Sequence, residues 1–131
     1  MSEATSRIPC EIMKAFVKAL FLKLGVPEPD AALAAEVNVG QEMRGILTHG
    51  LRRVPPNLKL LHAGRMNPHP RHATLRDSGA VRVMDGDNGL GAVAAMTAMR
   101  AAIEKAREHG IAMVAVINSH HFVSAAPYCL E

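Results

Sequence analysis

The sequence has no tryptophan, one tyrosine and three phenylalanines among its 131 residues. Its core must therefore pack through aliphatic side chains and through eight methionines. Although 49% of the residues are hydrophobic, no hydrophobic run approaches the roughly 20 residues that a membrane-spanning helix needs. The chain is long enough to bury one domain-sized core, and its hydrophobic content excludes a disordered polymer.

Cysteine is also scarce, with Cys10 and Cys129 at opposite ends of the chain and in no metal-ligand spacing. The simplest interpretation is two reduced thiols in a cytoplasmic protein. Near the N-terminus, the lysines Lys14, Lys18 and Lys23 interrupt the apolar positions, which argues against a secretory signal peptide.

Acidic residues are absent from the segment 44–76, which carries seven Lys or Arg and four His. Such a basic block favours an anionic partner. It contains no aromatic residue for base stacking and no nucleic-acid-binding motif. Nucleic acid is one such partner, but a small carboxylate or phosphate fits the block at least as well, and a solvated basic surface is the alternative.

Hydrophobic periodicity predicts three helices in the first half of the chain. The first runs from Pro9 to just before Gly25, where a glycine suits the position after a helix end. The second is expected over Asp30–Met43, and the third begins near Pro55 and extends through Lys59 to Ala63.

The pattern changes after residue 70. Strands are predicted over Ala73–Arg76, Val81–Met84 and Ile111–Ile117, the last one buried, and a helix over Ala92–His109 that Gly110 closes. The strand–helix–strand order predicts a βαβ unit with parallel pairing.

Two or three strands rarely form a stable parallel sheet, whose faces both need cover. We therefore expect the sheet to be incomplete at residue 131. The chain is divided into an N-terminal helical region, residues 1–70, and the start of a truncated α/β domain, residues 71–131.

The segment Thr48–Arg53 is the first candidate site. If it begins a helix, His49 and Arg53 project from one face. A guanidinium can hold a carboxylate through two parallel hydrogen bonds, and an imidazole can exchange a proton with a neighbouring oxygen. A site for a 2-hydroxy or 2-keto acid needs both groups. The alternative is a pair that caps a helix, and Arg52 is interpreted as a surface charge.

The segment Asn118–Phe122 is the second candidate, with His120 and His121 at the end of the predicted last strand. Consecutive strand residues point to opposite faces, so at most one of the two histidines can face a given cleft. A zinc site would need further ligands, and no Cys or carboxylate is near. We therefore expect no metal site.

Two glycine-containing patterns give weaker evidence of a binding site. The segment Asp85–Gly89 resembles the start of a calcium loop, but Met96 stands where the required glutamate should be. The segment Gly89–Ala94 imitates a dinucleotide-binding GxGxxA pattern, yet the following strand ends in Asn118 rather than in an acid for the ribose. Both are interpreted as a tight turn leading into a helix.

Four segments together resemble the malate/L-lactate dehydrogenase family that is distinct from the Rossmann lactate dehydrogenases. They are Arg44–Pro55 (RGILTHGLRRVP), Gly64–Pro68 (GRMNP), Asp85–Gly91 (DGDNGLG) and Asn118–Phe122 (NSHHF). Their order and spacing match as well, and the likeness extends over about residues 8–128.

The resemblance implies an α/β fold of the non-Rossmann type, with an N-terminal helical segment followed by an incomplete βαβ sheet. It implies NAD or NADP as the cofactor, a 2-hydroxy or 2-keto acid as the substrate, and a homodimer as the full-length enzyme. Residues His121 and His49 then fall on catalytic positions, and Arg53, Thr48 and His120 on substrate-binding positions. Most of the cofactor-binding region of such enzymes would lie beyond the end of this chain, so we expect an N-terminal fragment that is inactive alone.

This sequence departs from the family pattern at several positions. Val123 replaces the usual glycine after His-Phe, and would be strained if that position requires positive φ. Ala126-Pro127 stands in place of a Gly-Tyr pair, Asn57 in place of a frequent tyrosine, and Thr48 in place of a serine. The alternatives to a dehydrogenase are a non-enzymatic basic domain that binds anions or a partner and, third, a DNA-binding helical module.

Overall fold

The fold was analysed in a computed structural model that describes residues 7–131. Within that range, five α-helices and one three-stranded sheet follow one another along the chain. They are α1 (Cys10–Lys23), α2 (Glu28–Met43), α3 (Val54–His62), β1 (Thr74–Ser78), β2 (Val81–Asp85), α4 (Gly91–His109), β3 (Met113–Ile117) and α5 (Ala126–Cys129). Two short 3-10 turns, Leu47–His49 and Leu51–Arg53, connect α2 to α3.

The helices expected from the sequence are confirmed, and their ends follow local chemistry. Helix α1 begins directly after Pro9, and Gly25 follows its end with φ at 83°, a conformation that costs glycine little. Helix α2 begins two residues earlier than expected, at Glu28, so that its first turn holds two acidic residues near the positive end of the helix dipole. Gly110 closes α4 in the left-handed conformation.

The sheet has the strand order β1-β2-β3. Strands β1 and β2 form an antiparallel hairpin, and β2 pairs with β3 in parallel register from Val81 opposite Met113 to Asp85 opposite Ile117. The predicted βαβ unit, with α4 as its crossover, is therefore confirmed. Strand β1 extends to Ser78, beyond the expected end at Arg76, because Asp77 pairs with Arg82 across the hairpin.

The prediction that the last strand is buried was wrong. Its residues alternate between exposed and half-buried, with Met113 58% and Ile117 50% exposed, and Ile111 lies outside the strand at 75% exposure. Strand β3 lies at the edge of the sheet and packs against α4 on one face. Its apolar composition therefore reflects strand propensity on both faces, while burial is limited to one.

The main hydrophobic core joins the N-terminal helices to the beginning of α4. Its buried members are Val17, Phe21, Val26, Ala31, Ala34, Ala35, Val39, Val54, Leu61, Met66, Leu90 and Val93. A second, smaller cluster consists of Val37, Ala92 and Val123. The core thus draws on residues from both sides of position 70, and the division of the chain at that position remains a prediction.

Three further sequence expectations concern features beyond the core. No helix in residues 7–131 is long and apolar enough to cross a membrane. Cys10 is half-buried, Cys129 is exposed, and both thiols are free. Arg52 is exposed, as its interpretation as a surface charge requires.

Phe21 and Phe16 offer a matched test of the core on one helix. Phe21 is fully buried in α1, whereas Phe16 is 57% exposed despite its place in the apolar periodicity. We expect Phe21→Ala to lower the free energy of unfolding by about 3–5 kcal/mol, because it removes a buried aromatic side chain and leaves a cavity. Phe16→Ala should cost well under half of that. Urea denaturation of both variants measures the difference, and equal costs would contradict this packing.

Candidate active site

Three side chains named from the sequence come together on one side of the molecule. The imidazole rings of His49 and His121 lie with their centroids 5.6 Å apart and tilted by 35°. Arg53 is close enough for its charge to act on His121: burial first, then the guanidinium of Arg53 and the ring of His49, lower the pKa of His121 below its ordinary value of 6.5. These three residues are called the cationic cluster below.

The local geometry of the first segment differs from the helix start considered in the sequence. His49 and Arg53 lie in two successive 3-10 turns, separated by Gly50 with φ at −101° and ψ at −131°. The break is stabilised by Glu42 in α2, whose carboxylate accepts a hydrogen bond from the backbone N–H of Leu51 at 3.0 Å. A Cβ atom at Gly50 would collide with that same carboxylate and lie 3.0 Å from the backbone nitrogen of Glu42, so glycine allows the turn to pack closely against α2.

Thr48 organises the cluster through its backbone and its side chain. Its carbonyl oxygen accepts a hydrogen bond from Nε of Arg53 at 3.2 Å, and its hydroxyl lies 2.9 Å from Nδ1 of His49. The two terminal nitrogens of the Arg53 guanidinium are left available, and no carboxylate within residues 7–131 lies within 4 Å of them. The cluster can therefore bind an anion without first losing an internal ion pair.

The two adjacent histidines point to different surroundings. While His121 faces His49, the Nε2 atom of His120 lies 2.9 Å from the side-chain oxygen of Asn88. Asn88 did not emerge as a site residue from the sequence. The signal for it was its place in the Asp85–Gly89 turn, whose residues Asp87 and Asn88 adopt positive φ angles of 49° and 54°.

That turn, predicted from the sequence, is confirmed, and it ties together the ends of β2 and β3. The carboxylate of Asp85 accepts hydrogen bonds from the backbone N–H of Asp87 at 2.8 Å and from the amide of Asn118 at 3.0 Å. These two bonds hold the pKa of Asp85 below its usual range. The segment that carries both histidines thus starts from a fixed point at the edge of the sheet.

Gly91, the first residue of α4, packs against the segment that carries the two histidines. A Cβ atom at Gly91 would collide with the backbone carbonyl oxygens of His120 and His121, and one at Gly89 would lie 2.6 Å from the ring of Pro70. The space that these glycines leave is filled by protein atoms. The glycines at positions 89 and 91 therefore allow close packing at a helix start, as expected.

Beside the cluster, a groove of about 590 Å³ runs between α4 and β3. Its lining is mainly apolar, with Ala95, Met99, Val114 and Val116, and also includes His120 and Phe122. Within residues 7–131, no group of three His, Cys, Asp or Glu side chains is arranged to hold a metal ion.

Comparison with known proteins yields one consistent result. The sequence profile of malate/L-lactate dehydrogenases matches residues 8–131. The chain belongs to this family. Malate dehydrogenase from Pyrococcus abyssi is 40% identical over 124 residues, which cover 95% of this chain and 34% of that protein. L-sulfolactate dehydrogenase from Methanocaldococcus jannaschii is 42% identical over 106 residues, or 81% of this chain and 31% of that one.

The fold agrees with a solved structure of the same family. Malate dehydrogenase from Pyrococcus horikoshii superposes with a TM-score of 0.93 and 35% identity, over 95% of this chain and 36% of that one. The α/β fold of malate/L-lactate dehydrogenase type expected from the sequence is confirmed. The chain spans about a third of the length of the curated relatives that it matches.

The effect of Arg53 on His121 can be measured by titration. We expect the pKa of His121 to lie below 6.5, and Arg53→Gln to raise it because a nearby positive charge disfavours the protonated ring. Arg52→Gln is the matched control, since Arg52 is exposed and does not act on this ring. NMR titration of the histidine ring protons reports both pKa values. Equal shifts in the two variants would contradict a specific role of Arg53.

Proposed function

We propose that this chain supplies substrate-binding and proton-transfer side chains of an NAD- or NADP-dependent oxidoreductase that interconverts small 2-hydroxy and 2-keto acids. The observation that carries the proposal is the cationic cluster, in which Arg53 has free nitrogens beside two imidazoles. Relatives named malate, L-sulfolactate and L-lactate dehydrogenase support the substrate class.

Oxidation of a 2-hydroxy acid requires that the carboxylate be held, the hydroxyl proton removed and the substrate oxygen oriented. In this proposal, the terminal nitrogens of Arg53 hold the carboxylate with two charge-assisted hydrogen bonds. His121 exchanges the hydroxyl proton and His49 orients the same oxygen. Thr48 and His120 complete the substrate surroundings.

Binding of an acid substrate also changes the proton affinity of His121. In the free protein, the charge on Arg53 contributes to the low pKa of His121. The negative charge of a substrate carboxylate on Arg53 offsets that positive charge, so the pKa of His121 rises on binding. The ring therefore becomes a better base when the substrate is in place.

The cofactor belongs to the proposal through the family alone. In the turn at residues 89–91, Pro70 and the backbone of the two histidines occupy the space beside the glycines, and the strand that follows is succeeded by Asn118 rather than by an acid for the ribose. We therefore assign no residue of this chain to the cofactor, which in such an enzyme would accept the hydride from the substrate carbon while the hydroxyl proton goes to His121. A cytoplasmic homodimer, with no nucleic acid or membrane partner, completes the proposal.

Binding of L-malate to the 131-residue chain tests the substrate site. We expect saturable binding that raises the pKa of His121, detected by NMR titration. Arg53→Gln should weaken it roughly 10- to 100-fold, the effect of losing a charged hydrogen-bonding partner. Arg52→Gln should leave it nearly unchanged. Loss of equal size in both variants, or the same affinity in all three proteins, would defeat the assignment of Arg53.

We also expect no turnover by the purified 131-residue chain. It contains no residues that we can assign to the cofactor. It matches about a third of the length of its relatives, so about two thirds of each relative has no counterpart in this chain. Spectrophotometry of NADH and NADPH with pyruvate or oxaloacetate provides the measurement. Steady oxidation of either nucleotide that depends on the acid would overturn this expectation.

A non-enzymatic anion-binding domain is the second candidate. It is favoured by the basic segment 44–76, since none of its seven Lys or Arg forms an ion pair within residues 7–131. Binding through such a surface weakens steeply with salt and does not depend on one ring. Malate binding that survives His121→Ala without loss and vanishes at moderate salt would favour this candidate.

A further inference from the structure

Val123 has a backbone conformation that its residue type rarely adopts. Its φ angle is 75°, in the left-handed region, and its side chain is 98% buried, with 2% exposed. A β-branched residue there is strained, because its Cβ crowds the backbone. Since other conformations are available to a loop residue, contacts in the folded protein must hold Val123 in this one.

The contacts on Val123 come from two directions. Its isopropyl group packs against Val37 of α2 and Ala92 of α4 in the smaller hydrophobic cluster. One residue earlier, the carbonyl oxygen of Phe122 accepts a hydrogen bond from the buried hydroxyl of Tyr128. The side chain of Val123 is thus anchored between two helices, and the peptide group on its N-terminal side is held by a third.

The consequence of this conformation is found at the ring of His121. The backbone N–H of Val123 donates a hydrogen bond to Nδ1 of His121, with the two nitrogens 2.9 Å apart. A ring nitrogen that accepts a hydrogen bond carries no proton, and a neutral imidazole carries one proton on either nitrogen. The proton of neutral His121 therefore lies on Nε2.

We propose that Val123 is a positioning residue, which uses its buried side chain and its backbone N–H to hold His121 as the neutral ring protonated at Nε2. The meaning of this for catalysis rests on the proposed function, in which His121 exchanges a proton with the substrate. The tautomer itself does not depend on that function. Packing imposes on Val123 the conformation that glycine would adopt freely.

The tautomer determines whether Nε2 of His121 donates or accepts a hydrogen bond when the substrate binds. With its proton on Nε2, the nitrogen opposite Val123, the ring can donate a hydrogen bond to the carbonyl oxygen of a 2-keto acid. It cannot accept a hydroxyl proton at Nε2 until the ring proton has moved to Nδ1 and the bond to Val123 has broken. The Nε2–H tautomer inferred from the structure is therefore suited to binding the 2-keto acid. Removal of the hydroxyl proton from the 2-hydroxy acid requires that the hydrogen bond from Val123 to Nδ1 break.

Protonation of the ring is coupled to the same bond. Addition of a proton at Nδ1 converts an acceptor into a donor and breaks the hydrogen bond from Val123. The other charged or titratable groups that act on this ring are Arg53 and His49, from the two 3-10 turns. Helix α4 places the uncharged residues Gly91 and Ala92 against this segment. Val123 thus acts in the same direction as these neighbours, against the protonated ring.

Scalar coupling across the hydrogen bond tests the proposal directly. In the 131-residue chain labelled with ¹⁵N, an N–H···N bond produces coupling between the amide nitrogen of Val123 and Nδ1 of His121. Long-range proton–nitrogen spectra of the rings identify the tautomer, with His121→Gln used for assignment. We expect the coupling and the Nε2–H form at pH 8, and loss of the coupling as the pH falls through the pKa of His121.

Two substitutions separate the backbone from the side chain. Val123→Gly keeps the N–H and accepts positive φ without strain, so the coupling and the tautomer should persist. Val123→Pro removes the N–H and fixes φ near −65°, so we expect a mixture of tautomers and a higher pKa of His121. If the proline variant does not fold, Val123→Ala replaces it, with the coupling expected to weaken because the isopropyl group no longer holds φ positive.

The outcomes are distinct from those of the functional proposal. A wild-type ring protonated at Nδ1 would overturn the inference, as would a folded proline variant, or an alanine variant, with the tautomer and pKa of the wild type. The spectra are recorded without substrate. Failure of L-malate to bind would therefore count against the proposed function while leaving the role of Val123 supported, and the reverse combination would do the opposite.

Discussion

The arrangement of the candidate site depends on one close contact, between the first residue of α4 and the backbone of His120 and His121. Because β2 and β3 are parallel and α4 connects them, the start of α4 and the end of β3 both lie at the carboxyl end of these strands. Gly91 lets the two backbones touch there. This places the two histidines against a helix whose other contacts reach the N-terminal core through Leu90 and Val93. The helical region and the sheet are thereby joined where the site lies.

The electrostatic properties of the candidate site follow from the charged residues that lie near it. The basic segment 44–76 has no acidic residue of its own, and the carboxylate of Glu42, which reaches into it near the site, accepts a hydrogen bond from the backbone N–H of Leu51. Arg53 and His49 consequently act on His121 without an intervening negative charge. The available nitrogens of Arg53 follow from this imbalance, and so does part of the lowered pKa of His121, whose largest cause is burial.

Local strain at Val123 is offset by tertiary packing rather than removed by the choice of residue. The sequence comparison with the family could point to this position, and the expected strain is present, since φ is 75°. The family pattern could not reveal the direction in which the backbone N–H of Val123 points. That direction depends on where Val37 and Ala92 hold the side chain, and these residues are 86 and 31 positions away along the chain.

The sequence by itself determined the helices, the strand–helix–strand order and the family, since hydrophobic period, helix-ending glycines and four spaced motifs are properties of short segments. It also named His49, Arg53 and His121. Only the tertiary structure decided that His49 and Arg53 lie in 3-10 turns, that β3 is exposed on one face, that His120 pairs with Asn88, and that Val123 bonds to His121. Each of these depends on contacts between segments far apart in the chain, whose geometry is set by the packing of helices against the sheet and leaves no mark in any local pattern.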